Sequence, residues 1–417
     1  MNYYEFPKTR PWKCLFVLFL TALLFLSRDT LAALNLVGFH RSQFLLAAIL
    51  VLTAIVFLIR NRRSIPDILK DSRMLVALAA IAVMMIPMLV KRDWQMMYFS
   101  ILFYILAGIF LSYFLKLRET SRVYVLILTV LGLYSVICTY FLRIFPDRGI
   151  FQVPMFRNGI GVEFYNFGLA QVSLEFVKNR NFGIFREPGV YQFFLLLGIY
   201  LNNYYADWEK KWQLWTANGI LSFTMLTTFA TGGVLELGLL AVFLFFDQKW
   251  YRQKKARILA WALCLTVAVA AAYIVMTENS LYVDLIAMVT KFTDEESGLG
   301  RLNALLVDLE IFIRHPIFGE KFRNVLHVVD SNTTSTLVLF AVLGFFGGCF
   351  HVAGWFALCW DKKRNVFANL FLLMILFMAF NTQNLSWNLV FWLFPMLALS
   401  ERGLPFLQKV REKRHGS

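Results

Sequence analysis

Charged side chains are scarce in this chain: Asp, Glu, Lys and Arg together make up 16% of its 417 residues. Soluble globular proteins carry about 25% charged residues, so this scarcity excludes a soluble enzyme. Cysteine is also rare, with five residues in the whole chain, which excludes a secreted module held by disulfides. The sequence shows no low-complexity segment and no repeat of fixed period, which excludes disordered, collagen-like and solenoid chains.

Apolar residues are abundant instead, at 59% of the chain, and they occur in runs long enough to cross a bilayer. A backbone in hydrocarbon must satisfy its own hydrogen bonds, so these runs predict helices. We therefore predict an all-α, polytopic integral membrane protein with about 12 transmembrane helices. The predicted spans are approximately 12–27, 43–59, 74–90, 98–115, 123–142, 190–206, 213–229, 232–246, 258–276, 334–360, 366–380 and 387–400.

The distribution of basic residues agrees with this division. With the amino terminus in the cytoplasm, 26 of the 41 Lys and Arg residues fall in the predicted cytoplasmic segments, as the positive-inside rule requires. Both termini are then cytoplasmic. The net charge of +15 is explained by topology and by attraction to anionic lipid headgroups, so we expect membrane lipids and no nucleic acid as partners.

The spans divide the chain into five regions. These are helices 1–5 (1–142), a first long exterior loop (143–189), helices 6–9 (190–276), a second long exterior loop (277–333), and helices 10–12 with a basic cytoplasmic tail (334–417). The second loop contains two stretches with apolar residues at helical spacing, 285–292 and 302–313. They predict amphipathic helices that form a cap at the membrane surface, or a packed exterior subdomain without an active role.

The first long loop ends in the segment R-N-F-G-I-F-R-E-P-G-V-Y, from Arg180 to Tyr191. Arg180 and Arg186 offer forked donors that match phosphate or carboxylate geometry. Glu187 precedes Pro188, and both residue types are also favoured at the start of a helix for structural reasons. Glu187 is therefore either a catalytic group or part of a helix start.

The second loop contains S-G-L-G-R-L-N-A-L-L (297–306), R-H-P-I-F-G-E (314–320) and D-S-N-T-T-S-T (330–336), and the last of these leads into a helix with L-G-F-F-G (343–347). Together with the R-x-x-G-x-F-x-x-P segment of the first loop, this order resembles the O-antigen ligase and polymerase superfamily. The resemblance covers roughly 180–348, and the first third of the chain adds only topology. Members of that superfamily are membrane glycosyltransferases that use undecaprenyl-diphosphate-linked glycans outside the cytoplasmic membrane.

The resemblance implies roles for particular residues. Arg180, Arg186 and Arg301 would bind the diphosphate or glycan, with Arg157, from an R-x10-G spacing, and His315 as further substrate-binding candidates. The general base would be Asp330, Glu187 or His327. The ligases have an H-N-x-x-L element where this chain has Asp330-Ser331-Asn332, a stretch that equally suits a helix N-cap. Neither a cofactor nor a metal is expected.

Three further features have structural and functional interpretations. His315 lies before Pro316, which favours a turn. Glu236 is the one acidic residue inside a predicted span, and it predicts a proton path, a cavity wall, or a side chain reaching out to water. Gly344 and Gly348, at helical spacing, predict a close approach between helices.

The function expected from this sequence is a bacterial surface-polysaccharide polymerase in the cytoplasmic membrane. It would transfer a glycan from undecaprenyl diphosphate onto the next lipid-linked repeat unit at the exterior face, alongside a chain-length regulator and a flippase of the same pathway. The Glu-Pro-Gly variant at 187–189 favours a polymerase over the alternative, an O-antigen ligase that acts on lipid A-core. A transporter or lipid-linked oligosaccharide flippase is the alternative from another class, although the polar residues lie in exterior loops and not at the midplane.

Overall fold

In a computed structural model of the protein, the structure describes residues 10–30, 33–34, 39–60, 71–144, 155–157, 163–167, 170–173, 180–254, 257–258, 300–328 and 334–402. This part of the chain is mainly helical and contains thirteen α-helices. They are α1 (Arg10–Phe25), α2 (Phe39–Arg60), α3 (Ser72–Lys91), α4 (Met96–Leu111), α5 (Leu117–Ile144), α6 (Pro188–Tyr204), α7 (Lys211–Thr227), α8 (Thr231–Asp247), α9 (Gly300–Arg314), α10 (Phe322–Val328), α11 (Thr336–Cys359), α12 (Val366–Phe380) and α13 (Leu389–Arg402).

The helices account for the apolar runs of the sequence. Eleven of the predicted spans overlap a helix, and the remaining one, 258–276, lies outside the described residues except for its first position. Four segments are long and apolar enough to cross a membrane: Arg41–Ile59, Ser72–Lys91, Leu117–Tyr140 and Thr336–Cys359. Three shorter apolar helices, Cys14–Phe25, Met96–Leu111 and Val366–Phe380, accompany them. The protein is therefore a helical membrane protein.

The outermost helices expose apolar side chains. On α2, Phe44 is 73% exposed and Ile59 is 68% exposed, and Leu75 on α3 is 69% exposed. Large apolar side chains exposed along a whole helix are unfavourable in water and suit contact with lipid acyl chains. These surfaces agree with a membrane location.

Helix α6 forms the centre of the bundle. Nearly all of its side chains are buried, from Pro188 to Asn202, and it packs against α5, α7, α8 and α12. A helix that is apolar around its whole circumference has no face for solvent, so it takes the interior position. Helix α13 is buried in the same way between Leu389 and Leu399.

The first long loop contains a small antiparallel sheet that the sequence did not predict. Its strands are β1 (Met155–Arg157), β2 (Glu163–Asn166) and β3 (Gln171–Ser173), in the order β1-β2-β3. Each strand has only three or four residues, which is too short for a clear alternating pattern, although Phe164 and Tyr165 favour extended structure. The described part of the chain is thus helical with one local sheet.

The second predicted amphipathic segment forms helix α9, which packs on α11. Its buried positions are Ala304 and Asp308, whereas Leu302 is 52% exposed and Leu306 is 56% exposed. The leucine stripe therefore faces outward, where an apolar surface next to a bilayer contacts lipid, and Ala304 and Asp308 face the protein. The first amphipathic segment, 285–292, lies outside the described residues.

Helix α11 is broken at Gly344, where the turn after α9 is inserted. Gly344 has φ 70° and ψ −166°, a backbone conformation that essentially only glycine adopts. The Phe345 N–H donates to Pro316 O at 2.7 Å, and the Glu320 N–H donates to Ala341 O at 2.7 Å. The H-P-I-F-G turn thus replaces hydrogen bonds that the break in the helix would otherwise leave unmade.

The prediction that Gly344 and Gly348 allow a second helix to approach closely is wrong, because neither glycine faces another of the described helices. A Cβ on Gly344 would overlap the backbone of Ile317 in the turn, and a Cβ on Gly348 would overlap the ring of Phe340 on the same helix. Gly344 is needed because the helix is broken here and a turn of the chain approaches it, and Gly348 is needed because the ring of Phe340 lies against it.

Replacing Gly344 tests this packing. We expect Gly344→Ala to lower the free energy of unfolding by about 1–3 kcal/mol from the backbone conformation alone, with a further loss because the Cβ overlaps Ile317. The measurement is the thermal unfolding midpoint of the detergent-solubilised protein.

Gly238→Ala is the matched control, because a Cβ on this glycine of α8 has no other atom within 4 Å. It should unfold at or above the temperature of the unsubstituted protein, since alanine favours helix over glycine. Equal unfolding midpoints for the two variants would contradict the claim that the break in α11 requires glycine at position 344.

Candidate functional site

The segment that leads into α6 is fixed by buried hydrogen bonds. Asn181 is fully buried, its backbone N–H donates to Thr227 O at 3.0 Å, and its side chain donates to Ser135 Oγ at 2.9 Å. Phe185 is also fully buried and forms an antiparallel bridge with Thr30. These contacts place Arg180 and Arg186 at the ends of a rigid segment that joins α1, α5, α6 and α7.

Arg186 forms ion pairs with two carboxylates. Its Nε lies 3.1 Å from Asp29 Oδ1, and its Nη1 lies 2.9 Å from Glu187 Oε1. The backbone N–H of Arg186 also donates to Asp29 O at 3.0 Å. Burial lowers the pKa of Arg186, but the adjacent carboxylates of Asp29 and Glu187 outweigh it and hold the pKa above its usual value. The guanidinium is therefore permanently charged and fixed in orientation.

Asp29 connects three parts of the bundle. Its side chain is 4% exposed, and Oδ2 accepts a hydrogen bond of 2.8 Å from Asn388 Nδ2, while Oδ1 accepts from Arg186. Asp29 follows α1, Arg186 precedes α6 and Asn388 precedes α13, so one buried carboxylate joins the ends of three helices. Sequence reasoning did not select Asp29 or Asn388. The available signal was an Arg28-Asp29 pair directly after an apolar run.

Glu187 occupies the N-cap position of α6 without capping it through its side chain. Pro188 takes the first helical position, and the carboxylate of Glu187 is paired with Arg186 instead. Glu187 thus contributes its carboxylate to an ion pair and its backbone to the start of α6.

Arg180 and Arg301 form a second pair of guanidinium groups. Arg180 Nε donates to Thr228 O at 2.8 Å, between α7 and α8. Burial and the positive charge of Arg301 lower the pKa of Arg180 to about 10, and Glu187 opposes that shift. Arg301 is the second residue of α9, so this helix brings its guanidinium close enough to act on Arg180.

Arg28 is a further member of this cluster that the sequence did not predict. Its guanidinium carbon lies 4.1 Å from the ring centroid of Trp387, an arrangement that favours a cation. Burial lowers the pKa of Arg28, Asp29 raises it, and the charge of Arg186 lowers it. The charge of Arg186 acts on Arg28, the charge of Arg301 acts on Arg180, and Glu187 acts on both Arg180 and Arg186. We call these four arginines the arginine cluster.

Helix ends surround the arginine cluster. The carboxyl-terminal ends of α1 and α7 and the amino-terminal ends of α6, α8, α9 and α13 supply or contact its members. Amino-terminal helix ends carry partial positive charge and unpaired N–H groups, which favour bound anions. Within the described residues, neither Arg180 nor Arg301 forms an ion pair with a carboxylate. The arrangement suits an anionic ligand with more than one charge.

Of the other predicted site residues, the structure describes the side chain of His315 alone, and it lies away from this cluster. Arg157 ends β1, in register with Glu163 of β2. His315 follows α9 in the turn and pairs with Glu320, with Nε2 and Oε2 3.1 Å apart. Because α9 rises about 1.5 Å per residue, His315 is roughly 20 Å from Arg301 along the helix. His327 is in α10, but its side chain and all of Asp330 lie outside the described residues.

The start of α11 is capped by residues other than the predicted stretch 330–332. Thr334 Oγ1 accepts from the Val338 N–H at 3.1 Å and donates to the buried Asp308 of α9. Asn381 Oδ1 accepts from the Thr336 N–H at 3.0 Å. Since these groups satisfy the first N–H groups of α11, capping does not require Asp330. No group of three or more His, Cys, Asp or Glu side chains suited to a metal ion occurs among the described residues.

Comparisons of the chain with protein-family models, with curated proteins and with solved structures found no match. The resemblance to the O-antigen ligase and polymerase superfamily, and the residue roles it implies, therefore stay predictions. Helical membrane character and the arginine cluster rest on the structure itself.

Asp29 should be important for the position of Arg186. We expect Asp29→Ala to lower the free energy of unfolding by about 1–3 kcal/mol, because Arg186 and Asn388 lose a buried acceptor. The thermal unfolding midpoint in detergent measures this effect.

The control is Glu310→Ala, which removes an ion pair with Arg314 whose side chains are 58% and 70% exposed. Exposed pairs contribute little, so this variant should unfold within about 0.5 kcal/mol of the unsubstituted protein. If both variants lost a similar amount of unfolding free energy, the hydrogen bonds of Asp29 would contribute no more to stability than an exposed ion pair does.

Proposed function

We propose that the protein is a membrane glycosyltransferase that polymerises a bacterial surface polysaccharide. It transfers the growing glycan from undecaprenyl diphosphate onto the next lipid-linked repeat unit. The observation that carries the proposal is the arginine cluster. Its guanidinium groups interact electrostatically at one end of a helical membrane protein, and those of Arg180 and Arg301 form no ion pair with a carboxylate among the described residues.

The chemistry of the donor explains why such a cluster is useful. When the glycan leaves its carrier, negative charge develops on the diphosphate, and fixed guanidinium groups stabilise that charge without reorganising. Arg180 and Arg301 repel each other and are held in a partly buried position, which is unfavourable until an anion binds between them. Arg186, fixed by Asp29, presents a further guanidinium with a defined orientation.

The location of the cluster fits a substrate that is anchored in lipid. The helix ends around it belong to the side reached by both long loops, and the charge distribution of the sequence assigns that side to the exterior. Helix α9 exposes Leu302 and Leu306 beside Arg301. A surface with leucines next to arginine suits a polyprenyl chain whose diphosphate lies at the membrane boundary. The cytoplasmic membrane, with both termini inside, is the location we propose.

The glycan profile of a strain that lacks the gene tests this function. Complementation with Arg301→Ala should leave single repeat units in place of long polymer, because the departing diphosphate loses a fixed positive charge. Arg301 forms no ion pair with a described residue, so its removal should not unfold the protein. Gel electrophoresis with carbohydrate staining gives the readout, and immunoblotting shows equal expression.

Arg314→Ala is the matched control, because Arg314 lies at the opposite end of the same helix and is 70% exposed. It should restore polymer of normal length. Long lipid-linked polymer that accumulates unattached in the Arg301 variant would identify a ligase that uses lipid A-core as acceptor. An unchanged profile in the gene deletion would exclude both enzymes and favour a transporter.

A further inference from the structure

Glu236 on α8 is a buried carboxylate outside the arginine cluster. It is 1% exposed, and its Oε2 has no hydrogen-bond partner among the described residues. Burying an acidic group without a partner is unfavourable, so a position of this kind in a membrane helix marks a functional site. Its neighbours show which function it serves.

Two polar side chains from other elements lie beside Glu236. A Cβ built on Gly232 would be 3.4 Å from Gln192 Nε2 and 3.5 Å from Glu236 Oε1, so these two groups border the same glycine. Gln192 Nε2 donates to Thr382 Oγ1 at 3.4 Å, while Gln192 Oε1 has no partner within the described residues. Helices α6 and α8 therefore each contribute one polar atom without a hydrogen-bond partner among the described residues to the same place, and Thr382 lies beside them.

The glycines of α8 make this arrangement possible. A Cβ on Gly233 would lie 2.5 Å from Gln192 Oε1, so any larger residue would push the amide away from α8. The pair Gly232-Gly233, one turn before Glu236, thus allows a polar side chain of the central helix to approach the carboxylate.

Electrostatics separates the roles that remain for Glu236. It forms no ion pair with a described residue, although the charge of Arg301 acts on it. Arg301 in turn lies within range of Arg180, so the local field is positive. Nearby positive charge disfavours a metal cation at Glu236, and the negative charge that develops on the departing diphosphate favours a carboxylate that takes up a proton. A group that takes up a proton is the role consistent with these charges.

We propose that Glu236 accepts the proton of the acceptor hydroxyl, and that Gln192 and Thr382 orient that hydroxyl. The proposal rests on the proposed function. The acceptor oxygen forms a bond to the anomeric carbon of the donor glycan, and the bond from that carbon to the diphosphate oxygen breaks. The diphosphate leaves with the electron pair, and Glu236 takes the hydroxyl proton. Because Glu236 is buried in this structure, the hydroxyl reaches it after neighbouring elements move apart.

The substitution Glu236→Gln tests the proposal, because glutamine keeps the shape and cannot accept the proton. In proteoliposomes with lipid-linked repeat units extracted from the deletion strain, we expect turnover to fall by about 100-fold or more. The thermal unfolding midpoint should stay equal or rise, since glutamine keeps the shape and replaces an ionisable group that is buried without a partner among the described residues. Glu236→Asp should restore part of the turnover.

Binding to the arginine cluster is measured separately with inorganic diphosphate, which raises the unfolding midpoint of any form that binds it. Glu236→Gln should keep this response, whereas Arg301→Ala should lose most of it. The control Glu209→Gln, an exposed acid between α6 and α7, should retain turnover and the diphosphate response.

Two results would overturn the role of Glu236. The first is normal turnover in Glu236→Gln. The second is a loss of turnover in Glu236→Gln that is accompanied by a lower unfolding midpoint or by a loss of the diphosphate response. If Arg301→Ala abolishes turnover and Glu236→Gln does not, only the proton acceptor is refuted. If extracts of the deletion strain with the unsubstituted protein yield no polymer, the proposed function itself fails.

Discussion

The ion pair between Arg186 and Asp29 is the interaction on which the candidate site depends. A carboxylate buried to 4% exposure is stable only if its hydrogen bonds are made, and here Arg186 and Asn388 make them. Since these three residues stand at the ends of α1, α6 and α13, the same bonds that satisfy Asp29 also bring the helix ends together. The orientation of Arg186 is thus a consequence of how the bundle closes.

The rest of the arginine cluster places like charges close together, which must be balanced by the surrounding structure. Trp387 contacts the guanidinium of Arg28, Thr228 accepts from Arg180, and Glu187 reduces the repulsion along the row. Arg301 arrives on a separate helix, α9, which is attached to α11 through the bond between Thr334 and Asp308. The positions of Arg28, Arg180 and Arg186 are therefore fixed by the bundle, and that of Arg301 is fixed by α9.

The two glycine-containing motifs of the second half illustrate what a motif alone leaves open. H-P-I-F-G and L-G-F-F-G lie about 25 residues apart in the sequence, and each is consistent with ordinary turn or helix packing. In the structure they are one feature, because the Phe345 N–H donates to Pro316 O and the Glu320 N–H donates to Ala341 O. Their order in the chain was informative, but their contact required a helix broken at Gly344.

Hydrophobic length in the sequence determined the helical membrane class and the approximate positions of eleven of the described helices, because lipid leaves a polypeptide few ways to satisfy its backbone. The arginines before α6 and at the start of α9 were selected from the sequence because their forked donors match phosphate or carboxylate geometry. Tertiary structure alone decided that Asp29 pairs with Arg186, that Glu236 lies beside Gln192, and that His315 lies apart from the cluster. These relations join residues far apart in the chain, and no local pattern encodes which helix ends will meet.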